Sequence, residues 1–141
     1  MCIFSGSSLF TATRLSIIDT YMLPNVRFTT ILTNLGNDYN SSSGVFTCRI
    51  AGQYWFSASI TKDHTDNVGQ TWCYIMINGS EKVWLYHYEQ NPLHAYLSMT
   101  ASGGFHLTQG DRVQVGNCAN PDFLAGGSYA YFSGVLIKPD V

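Results

Sequence analysis

At 141 residues the chain can fill one hydrophobic core but not two, so residues 1–141 are expected to form a single domain. Only 11% of its residues are charged, against about 25% in a typical soluble domain, and its net charge is −2 with no Lys/Arg cluster. Phosphate-backbone binding needs clustered cations, which argues against nucleic acid as a partner. No apolar run reaches the ~20 residues that span a bilayer, which argues against membrane insertion.

The N-terminal stretch MCIFSGSSLFTATRLSII lacks a basic start and a continuous apolar centre, so no signal peptide is visible. Leu9 to Leu15 has strand composition, and Ser16 to Asn25 reads as a connector closed by Pro24. A short apolar run, Val26 to Leu32, is followed by an Asn/Ser/Gly-rich loop, Asn34 to Gly44. A short strand from Val45 to Ile50 and a turn at Ala51-Gly52 then lead into Gly52 to Ile60. That last segment alternates strictly, with Tyr54, Phe56, Ala58 and Ile60 on one face and Gln53, Trp55, Ser57 and Ser59 on the other.

Thr61 to Gln70 is a polar loop. Trp72 to Ile77 is apolar on both faces, and Asn78-Gly79 predicts a type I′ hairpin turn into Glu81 to Tyr88. Glu89 to Pro92 breaks that strand. Leu93 to Leu107 reads as two strand-like halves around Gly103-Gly104, and Gln109-Gly110 turns into Asp111 to Gly116 with Val113 and Val115 inward. Asn117 to Gly127 is a loop, and Tyr129 to Lys138 closes the chain, again apolar on both faces. Roughly ten short strands with no helical periodicity predict an all-β sandwich. A sandwich strand normally turns one face to water, so the doubly apolar strands predict that another copy of the chain covers them.

Phe28, Asn34, Tyr39, Phe46, Gly52, Tyr54 and Phe56, at these spacings, resemble the signature of the C1q globular domain. Ser102 to Val115 and Phe132 to Leu136 resemble the family's later strands, so the likeness runs from about residue 9 to 138. One departure is Ala58, where the family usually carries a further aromatic. The resemblance implies a ten-strand jelly roll of the TNF-like superfamily, assembled as a homotrimer and secreted. Without Gly-X-Y triplets, the chain resembles head-only members. The resemblance also implies non-enzymatic, lectin-like recognition of glycan or microbial-surface ligands in innate immunity. The alternatives are a TNF-like receptor-binding signalling ligand and a structural or extracellular-matrix trimerisation module.

Cys2, Cys48, Cys73 and Cys118 contain no CxxC pair, which argues against zinc, and spacing does not choose among their three full pairings. The resemblance places the strands carrying Cys73 and Cys118 side by side, which implies a disulfide between them. Asn40-Ser41-Ser42 and Asn78-Gly79-Ser80 are glycosylation sequons in predicted turns.

His64, His87, His94 and His106 accompany no catalytic signature, so no enzyme is expected. Asp63, His64, Asp66 and Asn67 form one polar loop and are candidate ligand-binding residues, and Asp63 and Asp66 offer the oxygens calcium prefers; no cofactor is otherwise required. Family members that bind calcium do so in the stretch matching Glu89–Met99, where this chain offers only Glu89, Gln90 and Asn91. Trp84, Tyr86 and Tyr88 share a face and are expected to pack the core, leaving His87 as the surface residue for carbohydrate binding beside Glu89, Gln90 and Asn91. Trp72, Tyr74, Tyr129, Tyr131 and Phe132 are the expected trimer-contact residues.

Overall fold

The computed structural model describes residues 6–17, 25–62, 70–88, 97–119 and 130–141. These form ten strands: β1 (Leu9–Ile17), β2 (Val26–Leu35), β3 (Tyr39–Asn40), β4 (Val45–Thr47), β5 (Gly52–Lys62), β6 (Gln70–Ile77), β7 (Ser80–Tyr88), β8 (Leu97–Leu107), β9 (Arg112–Ala119) and β10 (Tyr131–Pro139). They make two five-stranded sheets, ordered β2-β1-β10-β5-β8 and β3-β4-β9-β6-β7, with every pairing antiparallel. The sheets close on one core, as the alternation of β5 requires. Tyr54, Phe56, Ala58 and Ile60 are buried, while Gln53 and Trp55 are exposed.

Aromatic rings dominate that core. Phe10 of β1 lies parallel to Tyr39 of β3 at 4.7 Å, across the two sheets, and edge-on to Phe132 of β10 at 4.9 Å. Phe46 contacts both Tyr54 and Phe56 edge-on. Such pairs add about 0.5–1.5 kcal/mol each beyond the area they bury. Ala58 is registered opposite Phe132, so a small side chain in β5 faces a large one in β10.

The seven signature residues all serve the interior or its scaffold. Phe28, Phe46 and Phe56 are buried rings. The Asn34 carboxamide acts as a piece of strand: its Nδ2 donates to the Tyr39 carbonyl at 2.8 Å and its Oδ1 accepts the Tyr39 N–H at 3.2 Å. Tyr39 in turn donates its hydroxyl to the Phe28 carbonyl at 2.8 Å and accepts the Phe28 N–H at 3.0 Å. Tyr54 donates to the Ile50 carbonyl at 2.6 Å. At Gly52 a Cβ would collide with the Lys138 carbonyl and the Pro139 backbone, so no larger residue fits there without moving β10.

Several boundaries differ from the sequence reading. The run at Val26 continues to Leu35, and the loop from Asn34 to Gly44 contains the two-residue strand β3, because Tyr39 and Asn40 pair with Phe46 and Val45 of β4. The strand expected to run to Ile50 ends at Thr47. β8 passes through Gly103-Gly104 without a break, because both glycines pair with β5, at Phe56 and Trp55. β9 extends to Ala119, held by its pairing of Ala119 with Trp72. The Asn78-Gly79 turn has the expected hand, with φ of 52° and 79°. The Cys73–Cys118 disulfide joins β6 to β9 at a bulge in their pairing, and Cys48 is a buried free thiol.

Candidate functional site

Strand β7 positions the most unusual surface of the molecule. Its alternation sends Val83 and Leu85 toward the core and Trp84, Tyr86 and Tyr88 outward, where they are 53%, 41% and 57% exposed. The expectation that these three pack the core is therefore reversed. Leu85 fixes the register: a fully buried aliphatic at that position forces its two neighbours to the opposite face. His87 follows Leu85 in parity and is half-buried, with its Nε2 buried, so it is not the exposed member of the strand.

The neighbouring strand doubles the feature. Trp72 and Tyr74 of β6 are registered beside Tyr86 and Trp84. Tyr74 and Trp84 lie 5.9 Å apart, Trp84 and Tyr86 4.8 Å, and Tyr86 and Trp72 6.4 Å, with interplanar angles of 31°, 17° and 36°. Four rings are thus roughly co-oriented in one cluster on the outer face of the sheet. The Tyr86 hydroxyl reaches Gln70 Oε1 at 3.4 Å. Ring faces and edges beside hydroxyl and carboxamide groups suit a ligand carrying both C–H and O–H groups.

The outer face of the other sheet has a different chemistry. Its register sets Leu35, Leu9, Val135, Trp55 and Gly104 in one row, and Thr33, Thr11, Ser133, Ser57 and Ser102 in the next. Thr13, Tyr131, Ser59 and Thr100 follow. The hydroxyls bond to one another across strands, Thr11 to Ser133 at 2.9 Å and Thr100 to Ser59 at 3.1 Å. Trp55 is 48% exposed at the centre of the apolar row, and none of the three rows contains an ionisable acid or base other than the Tyr131 phenol.

The residues expected at a trimer contact do not share one face. Trp72 and Tyr74 stand on the aromatic face, and Tyr131 stands on the hydroxyl-rich face of the other sheet. Phe132 is fully buried against Phe10, Phe28 and Phe56 inside the sandwich, which removes it from any contact between copies. Tyr129, and the ligand candidates Asp63, His64, Asp66, Asn67, Glu89, Gln90 and Asn91, lie outside the described residues. Among the described residues no cluster of His, Cys, Asp and Glu could hold a metal ion. Sequence reasoning misses the Trp84 group as a surface because it counts aromatic side chains as inside ones, and it places Trp55 outward without giving it a role. The signal that finds the group is the parity of Leu85.

Ionisable groups elsewhere serve the fold. Arg49 bonds Asp38 at 2.9 Å and the Ser7 carbonyl at 2.8 Å, tying the segment before β1 to the β2–β3 region. Burial pushes the Tyr39 phenol up to about 12, and burial raises the Tyr54 phenol as well. Burial also raises the Cys48 thiol, which suppresses its thiolate and its reactivity. Asp111 is held below the usual carboxylate range by the Thr108 N–H and by the Asn78 side chain. His106 and Asp140 form a surface pair at 2.8 Å.

The family model of the C1q domain matches residues 9–137. The chain belongs to the C1q domain family. This C1q domain is 30% identical over 138 residues to one polypeptide of the complement C1q subcomponent of Rattus norvegicus, and 29% identical over 140 residues to another from Homo sapiens. Each alignment covers 94% of this chain and 51% of the relative, so the chain spans about half the length of the curated relatives it matches. Among solved structures, the globular domain of zebrafish complement 1qA superposes with a TM-score of 0.69 at 22% identity, covering 95% of this chain and 99% of that one. Murine APRIL at pH 5.0 superposes with a TM-score of 0.75 at 17% identity, over 93% and 99%. At these identities the superpositions establish the shared jelly-roll fold.

Proposed function

We propose that this C1q domain is a secreted, non-enzymatic recognition module that assembles as a homotrimer and binds glycans, including those of microbial surfaces. The observation that carries the ligand class is the cluster of exposed Trp84 and Tyr86 with half-buried Trp72 and Tyr74, Gln70 at its side. Aromatic rings stack on the C–H faces of sugars while neutral polar groups take the hydroxyls. The Cys73–Cys118 bond suits the oxidising environment outside the cell.

Self-association uses the other sheet. Rows of Leu, Val, Trp, Thr and Ser without an ion offer a surface that a second and third copy can cover without desolvating charge. Three heads acting together convert weak single-site binding into useful avidity. A glycan array, run with and without a chelator, tests the ligand class and also a calcium ion held by Asp63 and Asp66. Light scattering tests the assembly.

A receptor-binding ligand is the second reading, and the jelly roll shared with murine APRIL favours it. Receptor capture with a blank glycan array would select it. A structural matrix role would show as incorporation into matrix with neither binding activity.

A further inference from the structure

The two sequons occupy turns of opposite character. Asn40 ends β3, the edge strand of its sheet, and is exposed. Its Oδ1 is folded back on the turn, accepting the Ser42 N–H at 2.8 Å and the Ser43 N–H at 3.3 Å. Among the described residues none receives a hydrogen bond from its Nδ2, and Ser42 is exposed beside it. The carboxamide is therefore oriented by its oxygen while its nitrogen carries no structural duty.

Asn78 is held at both ends. Its Nδ2 donates to Asp111 Oδ1 at 3.0 Å, and its Oδ1 accepts the Arg112 N–H at 2.9 Å. Its backbone N–H also donates to the Arg112 carbonyl at 2.8 Å. This side chain struts the β6–β7 hairpin against the β8–β9 turn. A sugar on that nitrogen would crowd the Asp111 carboxylate and take one of the two hydrogens the strut can use.

We infer that Asn40 is an N-glycosylation site of this protein and that Asn78 is not. In the modification, Nδ2 of Asn40 bonds to the anomeric carbon of an oligosaccharide carried on a polyprenyl diphosphate. The carbon–oxygen bond to the diphosphate breaks, the diphosphate leaves with that electron pair, and one Nδ2 hydrogen is lost as a proton. The placement is compatible with both proposed contact faces. β3 lies at the opposite edge of its sheet from the aromatic strand β7, and the hydroxyl-rich face belongs to the other sheet. The inference depends on the secretory route proposed above but not on the ligand or the trimer.

The test is expression of the full chain behind a cleavable secretion leader in animal cells, followed by intact mass and glycopeptide mass spectrometry. Ser42→Ala and Ser80→Ala remove each sequon without touching the asparagine bonds. The expected result is a single glycan, released by peptide N-glycosidase, lost in Ser42→Ala and unchanged in Ser80→Ala. A glycan on Asn78, or secreted protein bare at Asn40, overturns the inference. Light scattering and glycan binding on unglycosylated bacterial protein report separately on the functional reading, so either can fail alone.

Discussion

The indole of Trp84 and the phenol ring of Tyr86 stack 4.8 Å apart, 17° from parallel, on the outside of the sandwich. Neither is needed to fill the core, so truncating either should cost the fold no more than the stacking itself, about 0.5–1.5 kcal/mol. Trp84→Ala and Tyr86→Ala are each expected to weaken glycan binding at least about tenfold, or ~1.4 kcal/mol. Titration calorimetry beside thermal melts checks this. Unchanged affinity with an unchanged melt would remove the aromatic cluster from the binding site.

Trp55 should matter to assembly instead. Half-exposed in the middle of an uncharged row, it is expected to tolerate Trp55→Glu within the protomer while the trimer falls apart to a 15.6 kDa species in light scattering. With no ion in the rows, the proposed trimer should resist salt. A strong loss of association between low and high ionic strength would contradict the proposed face.

Tyr39 predicts an alkaline limit. Its folded-state value of about 12 lies above the ordinary 10.0, so the neutral phenol is the form the fold favours. That stabilisation is fully present below pH 10 and is lost as pH rises from 10 toward 12, with the raised Tyr54 acting in the same direction. Tyr39→Phe leaves the Phe28 N–H and carbonyl without their side-chain partner and should cost about 1–3 kcal/mol at neutral pH. It should also make the alkaline limb shallower. Urea unfolding at pH 7 and across pH 10–12 reads both effects.

The disulfide closes a separation of 45 residues, for which the loss of unfolded-chain entropy gives about 4 kcal/mol. The double variant Cys73→Ala/Cys118→Ala should show that loss in denaturant midpoints. Reductant should destabilise the wild type and leave the variant's stability unchanged, because the bond it would cleave between β6 and β9 is gone.

The fold was legible because its signature is interior chemistry. Phe28, Phe46 and Phe56 announce a core, and Asn34 and Tyr39 announce the clamp that seats β3. Strand ends were less legible: β8 runs through two glycines and β9 runs on to Ala119, because cross-strand pairing overrides local turn propensity. The surface was misread where hydrophobicity and parity disagreed. Trp84 and Phe132 are both large aromatics in apolar strands, yet one is outside and the other inside, and only the registers of Leu85 and Ala58 separate them. The signature residues themselves say nothing about a ligand, since six of the seven are buried and Asn34 spends its carboxamide on the Tyr39 backbone.

The cystine has a mechanical consequence. β7 is hydrogen-bonded at the rim of its sheet to β6 alone, whereas β6 is riveted covalently to β9 on its other side. A tethered polymer tugging on the Trp84 rings would load the β6–β7 ladder first and could unzip it rung by rung. The tear would stop at the sulfur bridge, leaving the interior strands registered for the rim to close again when the pull is released.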